Sequence, residues 1–313
     1  MKTSPVTPAD LAASVIAVPP LARRADLALA PAENRKLIAH LEAGGVSTLM
    51  YGGNANFYHL PLSEYAATLD FLAQAAAPGT WVIPSAGADY GKLVDQAAIL
   101  RERGFPTAMA LPFGQPSNDA GVATALRRFA DRLGKPVIAY VKAMGYLEPA
   151  TLGALARDGV VCAIKYAIVR DDPAKDAYLE RLVEAVDRDL VISGIGERPA
   201  IVHLRDFGLK SFTSGSVCVA PRGSTALLAA LKARRYEEAA ALRAPYLPLE
   251  DQRDALGPIR VLHDAVTLAG IADMGPLLPM IANLDAGERP AVQAAAAALL
   301  AHDRSLGPAR AAA

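Results

Sequence analysis

The pattern of this chain is clearest in residues 107–140, which read TAMALPFGQPSNDAGVATALRRFADRLGKPVIAY. Residues 107–111 and 136–140 are continuous apolar runs, as expected for strands that are buried on both faces of a parallel sheet. Between them, residues 122–133 have the apolar spacing of a helix, and Gly134 follows as a residue that commonly ends one. The stretch therefore predicts a strand, a helix and a second strand.

The same unit recurs along the first three quarters of the chain. Eight units match a (β/α)8 TIM barrel, an α/β fold that needs about 250 residues. The alternative is a doubly wound sheet, but the turn after the first apolar run reads PPLAR and lacks a Gly-x-Gly-x-x-Gly phosphate loop. The barrel is therefore preferred. The predicted strands are 14–18, 46–51, 80–83, 107–111, 136–140, 160–165, 190–193 and 211–214.

From about residue 236 the predicted strands stop, and the chain reads as helices interrupted by prolines. We therefore expect a catalytic (β/α)8 barrel over residues 1–235 and a C-terminal helical segment over residues 236–313 that packs on it. Added apolar helices of this kind commonly make contacts between subunits.

The composition excludes several classes of partner. Lys and Arg total 32, and Asp and Glu also total 32, so no net charge draws the chain toward nucleic acid or anionic lipid. Two cysteines, Cys162 and Cys218, lack CxxC spacing, which argues against a disulfide framework or a structural zinc site. Asp10, Pro19 and Pro20 interrupt the N-terminal apolar stretch, so no export signal is expected. These features predict a cytoplasmic protein that binds neither nucleic acid nor a membrane.

Lys165 is the most informative polar residue at the end of a predicted strand, where barrel enzymes place their sites. It ends the apolar run VVCAIK, and period-two alternation puts Val161, Ala163 and Lys165 on one side. If that side faces inward, burial lowers the pKa of the amine and makes it a nucleophile near neutral pH. The open alternative is a lysine that reaches solvent at the end of its strand.

Two other strand ends offer chemistry. Tyr140 shares the parity of Ile138, so its phenol either moves protons beside the amine or fills the barrel with its hydroxyl at the rim. The turn formed by Gly52, Gly53 and Asn54 offers backbone N–H groups that can hold a carboxylate, although glycines also simply permit tight turns.

These strand ends resemble the motifs of the dihydrodipicolinate synthase and N-acetylneuraminate lyase family. Residues 138–140 (IAY) resemble the strand with the family's proton-relay tyrosine, and residues 163–165 (AIK) resemble its G-I/V-K strand with the imine lysine. The resemblance extends over nearly the whole chain, and the motifs occur in the family's order. The other matching segments are GGNANFYHLPLSE at 52–64, SG at 193–194, TSG at 213–215, GPIRV at 257–261 and PLLPM at 276–280.

The resemblance implies a class I lyase, an aldolase or dehydratase, acting on a 2-oxo acid such as pyruvate or a 2-keto-3-deoxy sugar acid. Lys165 would form the imine and Tyr140 would move protons. No metal or organic cofactor would be needed, because the imine is the electron sink. The family also implies a homodimer or homotetramer. The candidate substrate-binding residues are Gly53, Asn54, Lys142, Gly194 and Thr213.

Lys142 lies two residues beyond Tyr140 and shares its side if the strand continues that far. It either grips a distal carboxylate of the substrate, lowers the pKa of Lys165, or is a solvated loop lysine.

Three groups of the family are missing. Gly53 and Asn54 replace its hydroxyl pair, Phe113 and Gly114 replace its tyrosine pair after strand four, and YVKAMGY at 140–146 lacks the arginine of the lysine-pathway enzymes. Dihydrodipicolinate synthesis is therefore not expected.

Asn54, Asn56, Tyr58, His59 and Lys142 are expected near the mouth in place of those groups. FYHLP at 57–61 resembles a segment of keto-deoxy-glucarate dehydratases. Two alternatives remain: a keto-acid-binding or regulatory barrel of the same family, and a phosphate-binding barrel that uses residues 215–222.

Overall fold

The structure is a computed structural model that describes residues 1–307; residues 308–313 of the predicted helical segment lie outside this range. Eight parallel strands close into a barrel in chain order, with β1 hydrogen-bonded to both β2 and β8. The predicted TIM barrel is confirmed. The strands are β1 (Ile16–Ala17), β2 (Thr48–Tyr51), β3 (Trp81–Ala86), β4 (Met109–Ala110), β5 (Val137–Val141), β6 (Val161–Tyr166), β7 (Val191–Ser193) and β8 (Ser211–Ser214).

A helix follows every strand and covers the outside of the barrel. One short helix precedes β1, and four more follow the eighth barrel helix. The helices up to β8 are α1 (Pro8–Ala13), α2 (Pro31–Ala43), α3 (Leu62–Ala75), α4 (Tyr90–Arg101), α5 (Asp119–Leu133), α6 (Pro149–Arg157), α7 (Ala177–Ala185) and α8 (Ala200–Arg205). The helices after β8 are α9 (Pro221–Lys232), α10 (Tyr236–Arg243), α11 (Leu247–Leu256), α12 (Pro258–Leu268) and α13 (Arg289–Ser305).

Burial explains why the strand sequences are continuously apolar. Every residue of the eight strands is buried except Tyr140 and Cys162, which are half-buried. Helices cover the outer face of each strand, while the inner faces pack against one another across the barrel. Tyr140 is the partly exposed strand residue at the carboxyl end of β5, where the barrel opens.

One register shift interrupts the predicted alternation. The pairing of β5 with β6 shifts between Val137 and Ile138, so that Val137 pairs with Val161 while Ile138 pairs with Ala163. The skipped residue is Cys162. This extra residue lies inside the stretch for which alternation of Val161, Ala163 and Lys165 is predicted. Above the shift, Ala163 and Lys165 stay in register with Ile138 and Tyr140.

Prolines stand at the beginning of two of the helices that follow the barrel. Pro248 and Pro258 stand in the first turns of α11 and α12, where a missing N–H has no cost. α11, α12 and α13 share a small apolar cluster that includes Tyr246 and Leu249, and the Tyr246 hydroxyl donates to Ala220 O at 2.6 Å. This cluster fixes α11 and α12 beside the end of β8. Within residues 1–307, no helix combines the length and apolar character needed to cross a bilayer.

Candidate active site

A cavity of about 360 Å³ opens where the strands end. Its size suits a small metabolite, and its position is where barrel enzymes bind substrate. The structure brings all the predicted site residues together in its lining: Gly53, Asn54, Tyr140, Lys142, Lys165, Gly194 and Thr213.

Lys165 lies at the end of β6 with its side chain inside the barrel, and only 5% of the residue is exposed. Burial lowers the pKa of its amine to about 7, and the charge of Lys142 contributes to the decrease. A substantial fraction of the amine is therefore neutral near pH 7. The alternative of a solvent-exposed lysine does not hold, and the side chain has the properties of a nucleophile.

Tyr140 is the direct neighbour of Lys165 across β5 and β6. The Lys165 Nζ lies 4.4 Å from the centre of the Tyr140 ring, over its face. Burial raises the pKa of the Tyr140 phenol to about 12, so the hydroxyl keeps its proton at neutral pH. Tyr140 therefore holds the amine through its ring and carries a proton at the same end of the barrel.

Tyr58 adds a further phenol near Tyr140, and Tyr146 lies near Tyr58. Tyr58 lines the cavity, and its pKa is raised mainly by burial and further by Tyr140 and Tyr146. The Tyr146 hydroxyl accepts a hydrogen bond from Phe113 N at 3.4 Å. Sequence reasoning expected Tyr58 near the mouth but assigned no role to Tyr146. The structure thus brings a phenol to Phe113, at one of the positions where the family's tyrosine is missing.

The loop after β2 provides the predicted backbone N–H groups. The amides of Asn56 and Phe57 donate back to the carbonyls of Gly53 and Gly52 at 2.9 and 3.2 Å. Among the described residues, the amides of Gly53 and Asn54 make no backbone hydrogen bond of this kind, and both residues line the cavity. The Asn54 side chain is partly used, since its Nδ2 donates to Val18 O at 3.1 Å.

Two residues expected near the mouth, Asn56 and His59, do not line the cavity. Asn56 is buried and donates from Nδ2 to Leu278 O at 3.3 Å. His59 does not contribute to the cavity lining, and its pKa is lowered by burial and by Lys92. Asn56 and His59 follow the turn that carries Gly53 and Asn54, so proximity in sequence did not bring their side chains to the cavity.

Gly194 and Thr213 shape the wall next to the amine. A Cβ on Gly194 would lie 2.6 Å from Tyr166 O and 3.0 Å from Lys165 Cγ, so only glycine lets β7 end this close to the lysine. Thr213 is buried in β8, and its carbonyl accepts from Gly196 N at 3.1 Å. Both residues lie where the resemblance implied.

The C-terminal helices form a wall that sequence reasoning missed. Arg253 and Asp254 of α11 line the cavity, together with three apolar residues of α12. Inspection of strand ends could not find these residues, because their position depends on how α11 and α12 pack. In the sequence, the nearest segment that resembled a family motif was GPIRV at 257–261, which follows Arg253 and Asp254. The residues of α12 are Pro258, Ile259 and Leu262.

A buried carboxyl pair supports this wall. Glu250 Oε1 accepts from Glu197 N at 3.0 Å and from Arg253 Nη1 at 3.1 Å. Glu197 itself accepts from the hydroxyls of Ser214, at 2.8 Å, and Ser224. Burial raises the pKa of both glutamates. The network ties α11 to the ends of β7 and β8.

The predicted alternative anion site at residues 215–222 is filled by the protein itself. Asp303 of α13 accepts from Gly223 N at 2.9 Å, so a carboxylate already occupies the N-terminus of α9. Ser216 is buried. Within residues 1–307, no group of three or more His, Cys, Asp and Glu side chains is arranged to hold a metal ion.

Comparison with known proteins gives the same architecture. Dihydrodipicolinate synthase from Oceanobacillus iheyensis has a TM-score of 0.80 at 21% identity, covering 90% of this chain and 95% of that one. A prophage protein of the dihydrodipicolinic acid synthase family from E. coli K12, solved with pyruvate, has a TM-score of 0.78 at 21% identity, with coverage of 93% and 98%. N-acetylneuraminate lyase from Mycoplasma synoviae has a TM-score of 0.77 at 17% identity, with coverage of 93% and 99%.

The TM-scores of these structures show that the fold is shared, and a match of the sequence itself shows the family. Among curated proteins, no sequence matches this chain significantly. Residues 15–299, nearly the whole chain, match the sequence profile of the dihydrodipicolinate synthetase family. Members of that family are Schiff-base aldolases or lyases that act on pyruvate or other keto acids. The chain therefore belongs to the dihydrodipicolinate synthetase family.

Proposed function

We propose that this protein is a class I lyase in which Lys165 forms a Schiff base with a 2-oxo acid, such as pyruvate or a 2-keto-3-deoxy sugar acid. One observation carries the proposal: a buried amine, with its pKa lowered to about 7, lies over a tyrosine ring in the cavity of the barrel. A nucleophilic amine at neutral pH is what imine formation requires.

The chemistry follows from the reactivity of the imine. The neutral Lys165 amine attacks the keto carbon, and the carbinolamine loses water to give a protonated imine. The neighbouring carbon then loses a proton to water, and the imine accepts the electron pair of the broken C–H bond, forming an enamine. The enamine can expel a β-hydroxyl as water, and the same imine can accept the electrons of a breaking carbon–carbon bond. Both reactions are therefore open to this site.

Tyr140 and the loop after β2 supply the remaining groups. The Tyr140 phenol holds a proton that can be given to the leaving oxygen of the carbinolamine. The free amides of Gly53 and Asn54 suit the carboxylate next to the keto group. Metal or organic cofactors have no part in the proposed steps.

We also propose that dihydrodipicolinate synthesis is not its reaction. The stretch 140–146 lacks the arginine with which the lysine-pathway enzymes hold the aldehyde's carboxylate. Lys142 is exposed at the end of β5, and Met144 is exposed as well. We favour a 2-keto-3-deoxy sugar acid as the substrate.

Borohydride trapping tests the proposal. Pyruvate and borohydride should add a stable mass to a single peptide containing Lys165, and Lys165→Met should abolish the adduct. Lys175→Met is the matched control, because Lys175 is an exposed surface lysine paired with Asp172. An adduct elsewhere, or none with any 2-oxo acid, would exclude the mechanism. Non-covalent binding without an adduct would instead indicate a keto-acid-binding or regulatory barrel.

For the assembly, we propose a homodimer or homotetramer. Apolar side chains are exposed on three consecutive loops at the mouth of the barrel: Phe113 after β4, Met144 after β5 and Val169 after β6. Exposed apolar groups clustered on one face favour contact with another subunit. We place the protein in the cytoplasm, where its two free thiols, Cys162 and Cys218, would stay reduced.

A further inference from the structure

Residues of α11 form one wall of the cavity that contains Lys165. Resting on the proposed function, we propose that Arg253 and Asp254 form a subsite for the distal end of the substrate, and that this end is hydroxylated and uncharged. Both residues line the same cavity as Lys165. Lys165 stands at the end of β6, whereas Arg253 and Asp254 stand on α11, so the pair lines a different wall of the cavity from the reactive amine.

Arg253 is held in one position by its neighbours. Its Nε donates to Asp254 Oδ1 at 3.0 Å, and its Nη1 donates to Ile195 O at 2.7 Å and to Glu250 Oε1 at 3.1 Å. Its Nη2 lies 2.9 Å from Asp254 Oδ1. A guanidinium has five N–H groups, and the hydrogen bonds of Nε and Nη1 use three of them. Within the described residues Nη2 makes an ion pair but no hydrogen bond, so its two N–H groups remain for a ligand in the cavity.

The charges around Arg253 leave no surplus for an anion. Arg253 is paired with Asp254, while Arg198 is paired with Asp251 and lies 3.5 Å from Asp254. The two positive charges of Arg198 and Arg253 are thus balanced by the two negative charges of Asp251 and Asp254, even without the buried Glu250. A distal carboxylate would lose water and meet the carboxylate of Asp254, which disfavours binding.

A hydroxyl group fits the same pair. It donates one hydrogen bond and accepts others, so it can accept from Arg253 Nη2 and donate to Asp254. The Asp254 side chain is 46% exposed and therefore reachable from the cavity. Sites built to hydrogen-bond a substrate hydroxyl reject analogues that leave their polar groups unpaired. Arg253 and Asp254 are therefore suited to select a substrate whose distal end carries a hydroxyl group.

Lys142 is a second cation in the cavity that could bind a distal carboxylate. It follows Tyr140, the strand neighbour of Lys165, by two residues, and it is exposed to solvent at the end of β5. Water screens an exposed charge of this kind. Between the two cationic side chains, Arg253 is the one with a fixed position and an acidic partner.

Two six-carbon acids that differ only at the distal end test the inference. 2-Keto-3-deoxygluconate ends in a hydroxymethyl group, and 2-keto-3-deoxyglucarate ends in a carboxylate. The measurement is the concentration of each acid that gives half-maximal borohydride trapping. For the wild type, we expect a value about tenfold or more lower for the hydroxymethyl acid. The ratio of the two values, carboxylate acid over hydroxymethyl acid, describes the preference. For Asp254→Asn, we expect this ratio to fall by about tenfold, because Arg253 loses its acidic partner and tolerates the carboxylate better.

Asp70→Asn is the matched control. Asp70 is 50% exposed and pairs with Arg103 at 2.9 Å, like Asp254 with Arg253, but it does not line the cavity. It should leave the ratio unchanged. A wild type that prefers the carboxylate acid, or an unchanged ratio in Asp254→Asn, would overturn the inference.

Calorimetry separates this inference from the proposed function. Lys165→Met cannot form an imine, so its affinity for the two acids measures the subsite alone. If pyruvate fails to trap on the wild type but this variant still prefers the hydroxymethyl acid, the imine mechanism is wrong and the subsite stands. Trapping on Lys165 combined with equal affinities of the variant would reject the subsite and keep the mechanism.

Discussion

The Lys165 Nζ lies 4.4 Å above the centre of the Tyr140 ring, and the two residues are paired on neighbouring strands. The ring face attracts the ammonium form of the lysine, while burial favours its neutral form. Burial is the larger effect, since the pKa of Lys165 is lowered to about 7. The tyrosine thus contributes two separable parts, a ring that positions the amine and a hydroxyl that carries a proton.

Tyr140→Phe separates these two parts. The substitution keeps the ring beneath Lys165 but removes the hydroxyl. We expect turnover to fall by about 100-fold or more, the usual range for losing a general acid–base group. The pH midpoint of imine formation should stay close to that of the wild type, because burial of the lysine is unchanged. Steady-state kinetics on the 2-oxo acid that traps best, together with trapping across pH, would measure both. An unchanged rate would reassign Tyr140 to packing.

The pH dependence of imine formation tests the role of Lys142. The neutral amine is the nucleophile, so trapping by the wild type should rise as pH increases through about 7. Lys142→Met removes a positive charge that lowers the pKa of Lys165. The pKa of Lys165 should then rise, and the trapping profile should move to higher pH.

The competing roles of Lys142 give different results. Loss of a grip on a distal carboxylate would raise the Michaelis constant for an acid that carries one and leave the pH profile in place. A solvated loop lysine would change neither quantity. Lys175→Met is the control for loss of a surface charge, since Lys175 is 85% exposed.

The sequence was sufficient to predict the barrel and the burial of Lys165 at the end of a strand, because both depend on local patterns. Continuous apolar runs mark strands buried on both faces, and the inward position of Lys165 follows from alternation over a few residues. The same reasoning did not reveal the register shift at Cys162, because the shift is a property of the pairing between β5 and β6. A single strand's sequence carries no signal for such a shift.

The C-terminal wall could not be predicted for a different reason. Arg253 and Asp254 reach the cavity because the cluster around Tyr246 and Leu249 fixes α11 beside the barrel. This packing joins segments that are distant in sequence, so helical spacing alone cannot reveal it. The loop after β2 shows the same limit: Gly53 and Asn54 line the cavity, whereas Asn56, two residues later, is buried against Leu278.

Association of subunits is a further expectation. Phe113, Met144 and Val169 expose apolar side chains on three neighbouring loops, so we expect a dimer or, in preference, a tetramer. Light scattering at micromolar concentration would measure the mass. Met144→Glu should shift the population toward smaller species, because it places a charge among apolar groups. The mass of a single chain for the wild type would contradict the expectation.

The missing arginine gives a prediction about an aldehyde partner. Pyruvate and aspartate semialdehyde should give no more than trace condensation, because the stretch 140–146 offers no guanidinium for the aldehyde's carboxylate. A coupled assay for the cyclic product, with a known dihydrodipicolinate synthase as the positive control, would measure this. Robust synthesis would show that Lys142 or another group replaces the arginine.

Gly194→Ala tests the close approach of β7 to the reactive lysine. The added Cβ would lie 2.6 Å from Tyr166 O and 3.0 Å from Lys165 Cγ, and backbone cannot move aside as a flexible side chain can. We expect a destabilisation of roughly 1–3 kcal/mol, the usual cost of an overpacked site. Borohydride trapping should also slow, because the lysine or the end of β7 must shift. Thermal unfolding and the trapping rate measure the two effects.

Gly79→Ala is the control for replacing a glycine as such. A Cβ at Gly79 would meet no atom within 4 Å, and that residue has no positive φ. Its unfolding temperature and trapping rate should match those of the wild type. If Gly194→Ala also matched the wild type, the end of β7 would accommodate a Cβ despite the short distances. The position of Lys165 would then not depend on a glycine there.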